Sequence, residues 1–282
     1  MGIIVPHGEN MIQAALLALS LSLLAPCAAV AARHGAPVLS LSAHSLDGPQ
    51  SGPAEHASLE SPAPQTDFHN IPPAAQSFKN ESIVKPGDVI DVDVHYPVFG
   101  KATIDRDISL WAHRVVDTFT KGLGGEHIDP RQSRNELKAG YTVSYASPRS
   151  LSVTYEIWTY SDGIHGNNDI ITLSYDMESG QRLLFEDLVA DADTALERLA
   201  VYCSKTLSDT LGEDLDEIIL KSGTAPDLDN YASFSLFPTG LRIHFQPYQV
   251  APFVAGAQQV DVPLEVILDA GPHLELWGRQ GR

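Results

Sequence analysis

Apolar and polar residues alternate with period two in run after run of this chain, a pattern that calls for a sheet. Leu137, Ala139, Tyr141, Val143 and Tyr145 form one run. Leu151, Val153, Tyr155 and Ile157 form the next, after a Ser147-Pro148-Arg149 turn, and the two read as a hairpin. Earlier, Ile90, Val92, Val94 and Tyr96 alternate with Asp91, Asp93 and His95 in a strand expected to end at Pro97. Ile171, Leu173 and Tyr175 continue the pattern, and Glu178-Ser179-Gly180-Gln181 turns the chain. A second hairpin follows. Phe234 and Leu236 lie opposite Ser233 and Ser235, Pro238-Thr239-Gly240 turns, and Leu241, Ile243 and Phe245 alternate with Arg242, His244 and Gln246.

Helical spacing separates these strands. Ile104, Ile108, Trp111, Ala112, Val115 and Phe119 make one stripe, with Thr103 as the expected N-cap and Gly122-Leu123-Gly124-Gly125 as the stop. Leu196, Leu199, Ala200, Cys203, Leu207 and Leu211 make another, within a helix from about Asp193 to Leu211. A shorter acidic helix is expected over Glu213–Leu220. This order indicates an α+β fold, an antiparallel β-sheet packed with helices.

Two stretches precede the folded region. Met11–Ala32 is uncharged and ends in Ala29-Val30-Ala31, which reads as a secretory signal cleaved near Ala31 or Ala32. An uncleaved anchor is the alternative, since roughly 20 apolar residues span a bilayer. Leu24-Ala25-Pro26-Cys27 approaches a lipoprotein box, but with Pro where a small residue is wanted. Composition then shifts to Pro, Ser, Ala, Gln and His, too poor in large apolar residues to offset ordering entropy. The expected division is a signal segment at 1–32, a disordered linker at 33–80, a β/α module at 81–160, a second module at 161–269 and a tail at 270–282. The localisation that follows is periplasmic or otherwise extracytoplasmic.

The chemistry of the side chains excludes more than it names. Only Cys27 and Cys203 occur, so no disulfide framework exists, and Cys203 falls on an apolar helix stripe where a core role is expected. No His-x-His, His-x-x-His or His-x-x-x-His pair occurs, so spacing points to no metal or other cofactor. With 18 Lys and Arg against 36 Asp and Glu, nucleic acid and anionic membrane surfaces are poor partners. A cationic protein would be steered toward such a chain.

Two loops stand out as candidate recognition elements. The Gly/Asn-rich stretch holds Ser161, His165 and Asn167, and the Pro-broken stretch Pro247, Tyr248, Pro252 and Phe253. Aromatics among prolines can be held rigid at low entropic cost, as a binding loop requires, or they can fold back to cap the core. His165 could act as a general base with a carboxylate from the sheet, but no Gly-x-Ser-x-Gly elbow accompanies it.

The run SDGIHGNNDIITLSYDMESGQRLLFEDL resembles a family pattern of Gly-Gly-x-His-x-Asn, a strand, Asp-x-x-Thr/Ser-Gly-Lys/Gln and Leu-x-Asp-Leu. FSLFPTGLRIHFQPYQVAPFVAGAQQVDVPL is similar to the same family's Pro-Tyr-x-x-Ala-Pro-Tyr/Phe-x-x-Gly segment and its Val-x-Pro strand, and VDVHYPVFG to the start of the preceding module. That family is the extracytoplasmic domain pair of the lysozyme-sensing RsiV-type anti-sigma factors, also found ahead of the catalytic domain in PdaC-type peptidoglycan deacetylases. The resemblance covers roughly Glu81 to Asp269, with Asp162 where Gly is usual and Ile164 where a small residue is usual. It implies binding without catalysis, through Ser161–Asn168 and Pro247–Phe253. The chain has no stretch long enough for a sigma-binding or deacetylase domain, so the expectation is the binding module alone. Its expected role is that of an exported, non-enzymatic envelope protein binding a basic lysozyme-like muramidase or peptidoglycan. A hydrolase using His165 and a structural accessory protein are the alternatives.

Overall fold

The computed structural model describes residues 78–123, 134–161 and 166–279. The signal segment, nearly all of the linker, and Asp162, Ile164 and His165 lie outside these residues.

Among the described residues, eight strands form two sheets. The larger one takes β1 (Lys79–Lys85), β2 (Ile90–Val98), β3 (Asn135–Ala146), β4 (Ser150–Tyr160) and β5 (Asn167–Asp176) in chain order. The smaller holds β6 (Phe234–Phe237), β7 (Gly240–Phe245) and β8 (Gln258–Pro263). Helix α1 (Ala102–Gly122) connects β2 to β3, which pair in parallel, while the remaining pairs are antiparallel. A parallel pair needs a crossover, and the α1 stripe supplies it. The fold is α+β with sheets that are mainly antiparallel. Among the described residues no helix is long and apolar enough to cross a membrane.

The alternating residues become two cores. Val92 and Val94 of β2, Leu137 to Val143 of β3, Leu151 to Ile157 of β4 and Ile171 to Tyr175 of β5 turn their apolar side chains onto Ile104, Ile108, Trp111, Val115 and Phe119 of α1. The second core lies between the small sheet, α2 (Ala192–Thr210) and α3 (Glu217–Gly223), with Cys203 buried in it. A β-bulge between Val143 and Tyr145 shifts the register, and Tyr145 joins this second core while Val143 stays in the first.

Several expectations need correction. The N-cap of α1 is Lys101, not Thr103, and its side chain makes no cap bond; Asp105 instead accepts from the Phe99 N–H at 2.7 Å. Strand β2 runs through Pro97 to Val98, because Pro97 is near its end, opposite Asn80 of β1. Strand β1 begins at Lys79, inside the expected linker; its largely exposed sequence KNESIVK carries no clean alternation. The acidic stretch after α2 divides into a 3₁₀ turn, Gly212–Asp214, and α3, capped by Asp216. The division drawn at 160/161 falls between β4 and β5 of one sheet, so β5 packs with the first core. Residues 270–282 are not simply a tail: Leu276 and Trp277 are buried in the second core, and Trp277 Nε1 donates to the Gly240 carbonyl at 2.9 Å.

Candidate functional site

Beyond Phe245 the sequence Gln246-Pro247 ends strand β7, since Pro has no N–H for a ladder. A tight turn follows, closed by Gln249 N–H to the Gln246 carbonyl at 3.0 Å. The Gln249 side chain fixes this turn from beneath. Its Oε1 accepts from the Gln246 N–H at 2.9 Å, and its Nε2 donates to the Asn230 carbonyl at 3.1 Å. Val250 and Ala251 are buried and anchor the loop in the second core. Gly223, at the end of α3, lets the backbone pass, because a Cβ there would lie 1.8 Å from the Gln249 carbonyl oxygen.

With its base fixed, the loop exposes aromatics. Tyr248 has φ +69°, in the left-handed region that non-glycine residues seldom adopt, and is 60% exposed. Its ring stacks on Phe253, with centroids 5.1 Å apart and planes 26° from parallel. Val254 beside them is 82% exposed. Of the two roles open to these residues, Tyr248 does not cap the core; Val250 and Ala251 do. Pro247 and Pro252 flank the pair, half-buried.

The other loop leads into the start of β5. Gly166 lies against the Trp158 ring so closely that a Cβ would come within 1.8 Å of it. Ser161 and Asn167 are half-buried, and Asn167 Nδ2 donates to Asp169 Oδ2 at 2.9 Å. Asp169 is buried, and loss of solvation pushes its carboxyl up to about 6, against the lowering effect of the Asn167 bond. Three residues after Asn167, roughly 10 Å along the strand, the Ile170 backbone receives the Gln246 carboxamide. The Ile170 N–H donates to Gln246 Oε1 at 2.9 Å, and Gln246 Nε2 donates to the Ile170 carbonyl. The base of the Pro247–Phe253 loop is thus tied to β5 three residues beyond Asn167, and His165 lies outside the described residues.

Sequence reasoning did not find the cleft beside them. It encloses about 260 Å³ between β5 and the segment from Leu228 to Phe234, with Leu173, Leu184 and Phe234 among its apolar walls. Arg182 also lines it, but its guanidinium is committed to Asp107 at 2.6 Å, and Tyr175 Oη donates to the same carboxylate at 2.8 Å. Five separate segments build this space, so no local motif marks it.

A Ser–His pair does exist. Ser235 Oγ and His244 Nε2 lie 3.2 Å apart, both buried, and neither lines the cleft. Burial holds the imidazole down at about 4, hence neutral at pH 7, and its Nδ1 has no partner among the described residues. A catalytic triad would need a carboxylate at that nitrogen and access for substrate.

Residues 186–265 match the family model described as "Protein of unknown function (DUF3298)". The chain is similar to the peptidoglycan-N-acetylmuramic acid deacetylase PdaC of Bacillus subtilis (strain 168), 26% identical over 191 residues, covering 67% of this chain and 40% of PdaC. It thus spans about two fifths of that relative's length. A DUF3298 family protein of Pseudomonas aeruginosa PAO1 superposes with a TM-score of 0.55 at 12% identity, over 74% of this chain and all of that one. A member from Bacteroides fragilis NCTC 9343 gives 0.50 at 14% identity, over 71% of this chain and 95% of that one. At these identities the structural likeness concerns the fold alone.

Proposed function

We propose that this chain is a non-enzymatic binding module of the cell envelope, acting outside the cytoplasm. The contact surface is the Pro247–Phe253 loop, and the partner is a basic, lysozyme-like muramidase. One observation carries the reading: Tyr248 keeps a backbone conformation that glycine would adopt freely, with its ring held in solvent on Phe253. Such strain costs about 1–3 kcal/mol, and the anchored turn beneath sustains it while keeping the ring at the surface. The acidic composition adds steering toward a cationic partner, and the resemblance to lysozyme-sensing domains agrees with it. PdaC, named for its action on peptidoglycan, supports the envelope setting and a second reading in which peptidoglycan itself is bound.

The test replaces Tyr248 by Gly in the full chain and measures association with an immobilised basic lysozyme at low and high salt. Stability should hold or rise, since the strain is relieved. Affinity should fall roughly thirtyfold, the loss of about 2 kcal/mol typical of a central aromatic anchor. The residual on-rate should still fall with salt. A folded Tyr248→Gly variant that binds as tightly as the parent would place the contact elsewhere. A parent that ignores lysozyme but sediments with peptidoglycan would establish the second reading.

A further inference from the structure

Strand β5 is an edge of the large sheet, and of its outward-facing residues along the cleft Thr172 is the one with neither backbone group partnered among the described residues. Ile170 turns its N–H and C=O outward, both held by the Gln246 carboxamide. Strand geometry then turns Thr172 and Ser174 the same way. The Ser174 carbonyl accepts from Leu183 N–H at 2.7 Å, and the Asp176 N–H donates to the Gln181 carbonyl at 2.9 Å. Thr172 lies between these closures. Its outward N–H and C=O have no partner among the described residues, and the residue lines the cleft.

We infer that this cleft binds a free peptide of about three residues, whose central residue pairs with Thr172 as a one-position extension of the sheet. An outward residue presents a donor and an acceptor side by side, which is what one residue of an extended peptide offers in return. The Gln246 carboxamide already answers Ile170 with the same pairing of groups. The occupied neighbours set the length. A longer strand would bring its next pairing residues opposite Ile170 and Ser174, where Gln246 and Leu183 already sit. Leu173, Leu184 and Phe234 favour small apolar side chains. Glu186 and Asp229, exposed and also lining the cleft, favour a protonated amino terminus. This site is separate from the Tyr248 loop and stands or falls independently of it.

The test is a titration of the ¹⁵N-labelled full chain with trialanine, followed by amide NMR. The Thr172 amide should shift, and N-acetylation of the peptide should weaken binding several-fold. Thr172→Pro removes the N–H on the side of an edge strand where proline is tolerated, and should abolish the response. Thr172→Val, which keeps the backbone groups, should retain it. If Thr172→Pro fails to fold, Ala232→Leu narrows the cleft without touching the strand and should abolish binding in its place. No shift at Thr172 up to millimolar trialanine, binding unchanged in a folded Thr172→Pro or Ala232→Leu variant, or a hexaalanine bound more tightly than the trimer would each overturn the assignment.

Discussion

Asp169 and His244 should oppose one another in the dependence of stability on pH, and Asp169→Asn separates them. Asp169 titrates at 3.8 in an unfolded chain and at about 6 in the fold, because burial disfavours its charge. Between those values the native state holds more protons than the unfolded state, so this group's contribution to stability falls as pH rises. At about 1.4 kcal/mol per unit, the shift of roughly two units amounts to about 3 kcal/mol. His244 runs the other way. Its value drops from 6.5 to about 4, so its contribution is fully present above 6.5 and is lost as pH falls toward 4. Its magnitude is similar, about 3 kcal/mol by the same conversion. The asparagine variant is nearly isosteric with the protonated acid. It should match the parent near pH 3.5 and exceed it by about 3 kcal/mol at pH 7, measured as urea unfolding free energies at several pH values. Between pH 4 and 6.5 the variant should gain stability with pH, while the two effects largely cancel in the parent. A difference between the two proteins that stays constant from pH 3.5 to 7 would refute the burial argument for Asp169.

Two further outcomes follow from packing. Gly223→Ala places a Cβ against the Gln249 carbonyl; it should lower unfolding stability by about 1–3 kcal/mol and, by displacing the turn beneath Tyr248, weaken any partner contact made there, both readable from urea melts and binding curves. Cys203 is buried and its thiol is pushed up to about 12 by burial, so a thiol reagent should modify it only at the rate of unfolding, a rise in labelling with urea being the check.

The parts of this structure that were legible in the sequence are those whose signal is local. The hairpins at Ser147-Pro148-Arg149 and Pro238-Thr239-Gly240 carry their own alternation and turn residues, and both form. The α1 stripe is likewise repeated at every turn of the helix, and its residues are buried as a set. Strand β1 was not legible because an edge strand with exposed side chains has little apolar period to display. The parallel β2–β3 pair was missed because direction is fixed by the crossover, not by either strand's own composition.

The polar faces show a deeper limit. Ser233 and Ser235, Ser150, Ser152 and Ser174 all occupy the polar half of an alternating strand, which suggests a face in water. Ser150, Ser152, Ser174 and Ser235 are instead buried. Ser152 Oγ lies 2.8 Å from Ser174 Oγ and accepts from the Leu236 N–H at 3.0 Å, Ser233 Oγ donates to the Ile170 carbonyl at 3.2 Å, and Ser150 Oγ donates to the Leu276 carbonyl. The Ser152–Leu236 and Ser233–Ile170 contacts tie the large sheet to β6 and the residue before it through hydroxyls, and Ser150 ties it to the C-terminal segment. Serine suits the place because it is small enough for close approach and can satisfy a backbone group that burial would otherwise leave unpaired. Period two therefore separates the two faces of a strand without saying whether the polar face meets water or a hydrogen-bonded neighbour. The same ambiguity hid the cleft: the edge of β5 is closed at Ile170 by a side chain 76 positions away, and the opening at Thr172 exists only because that closure stops there.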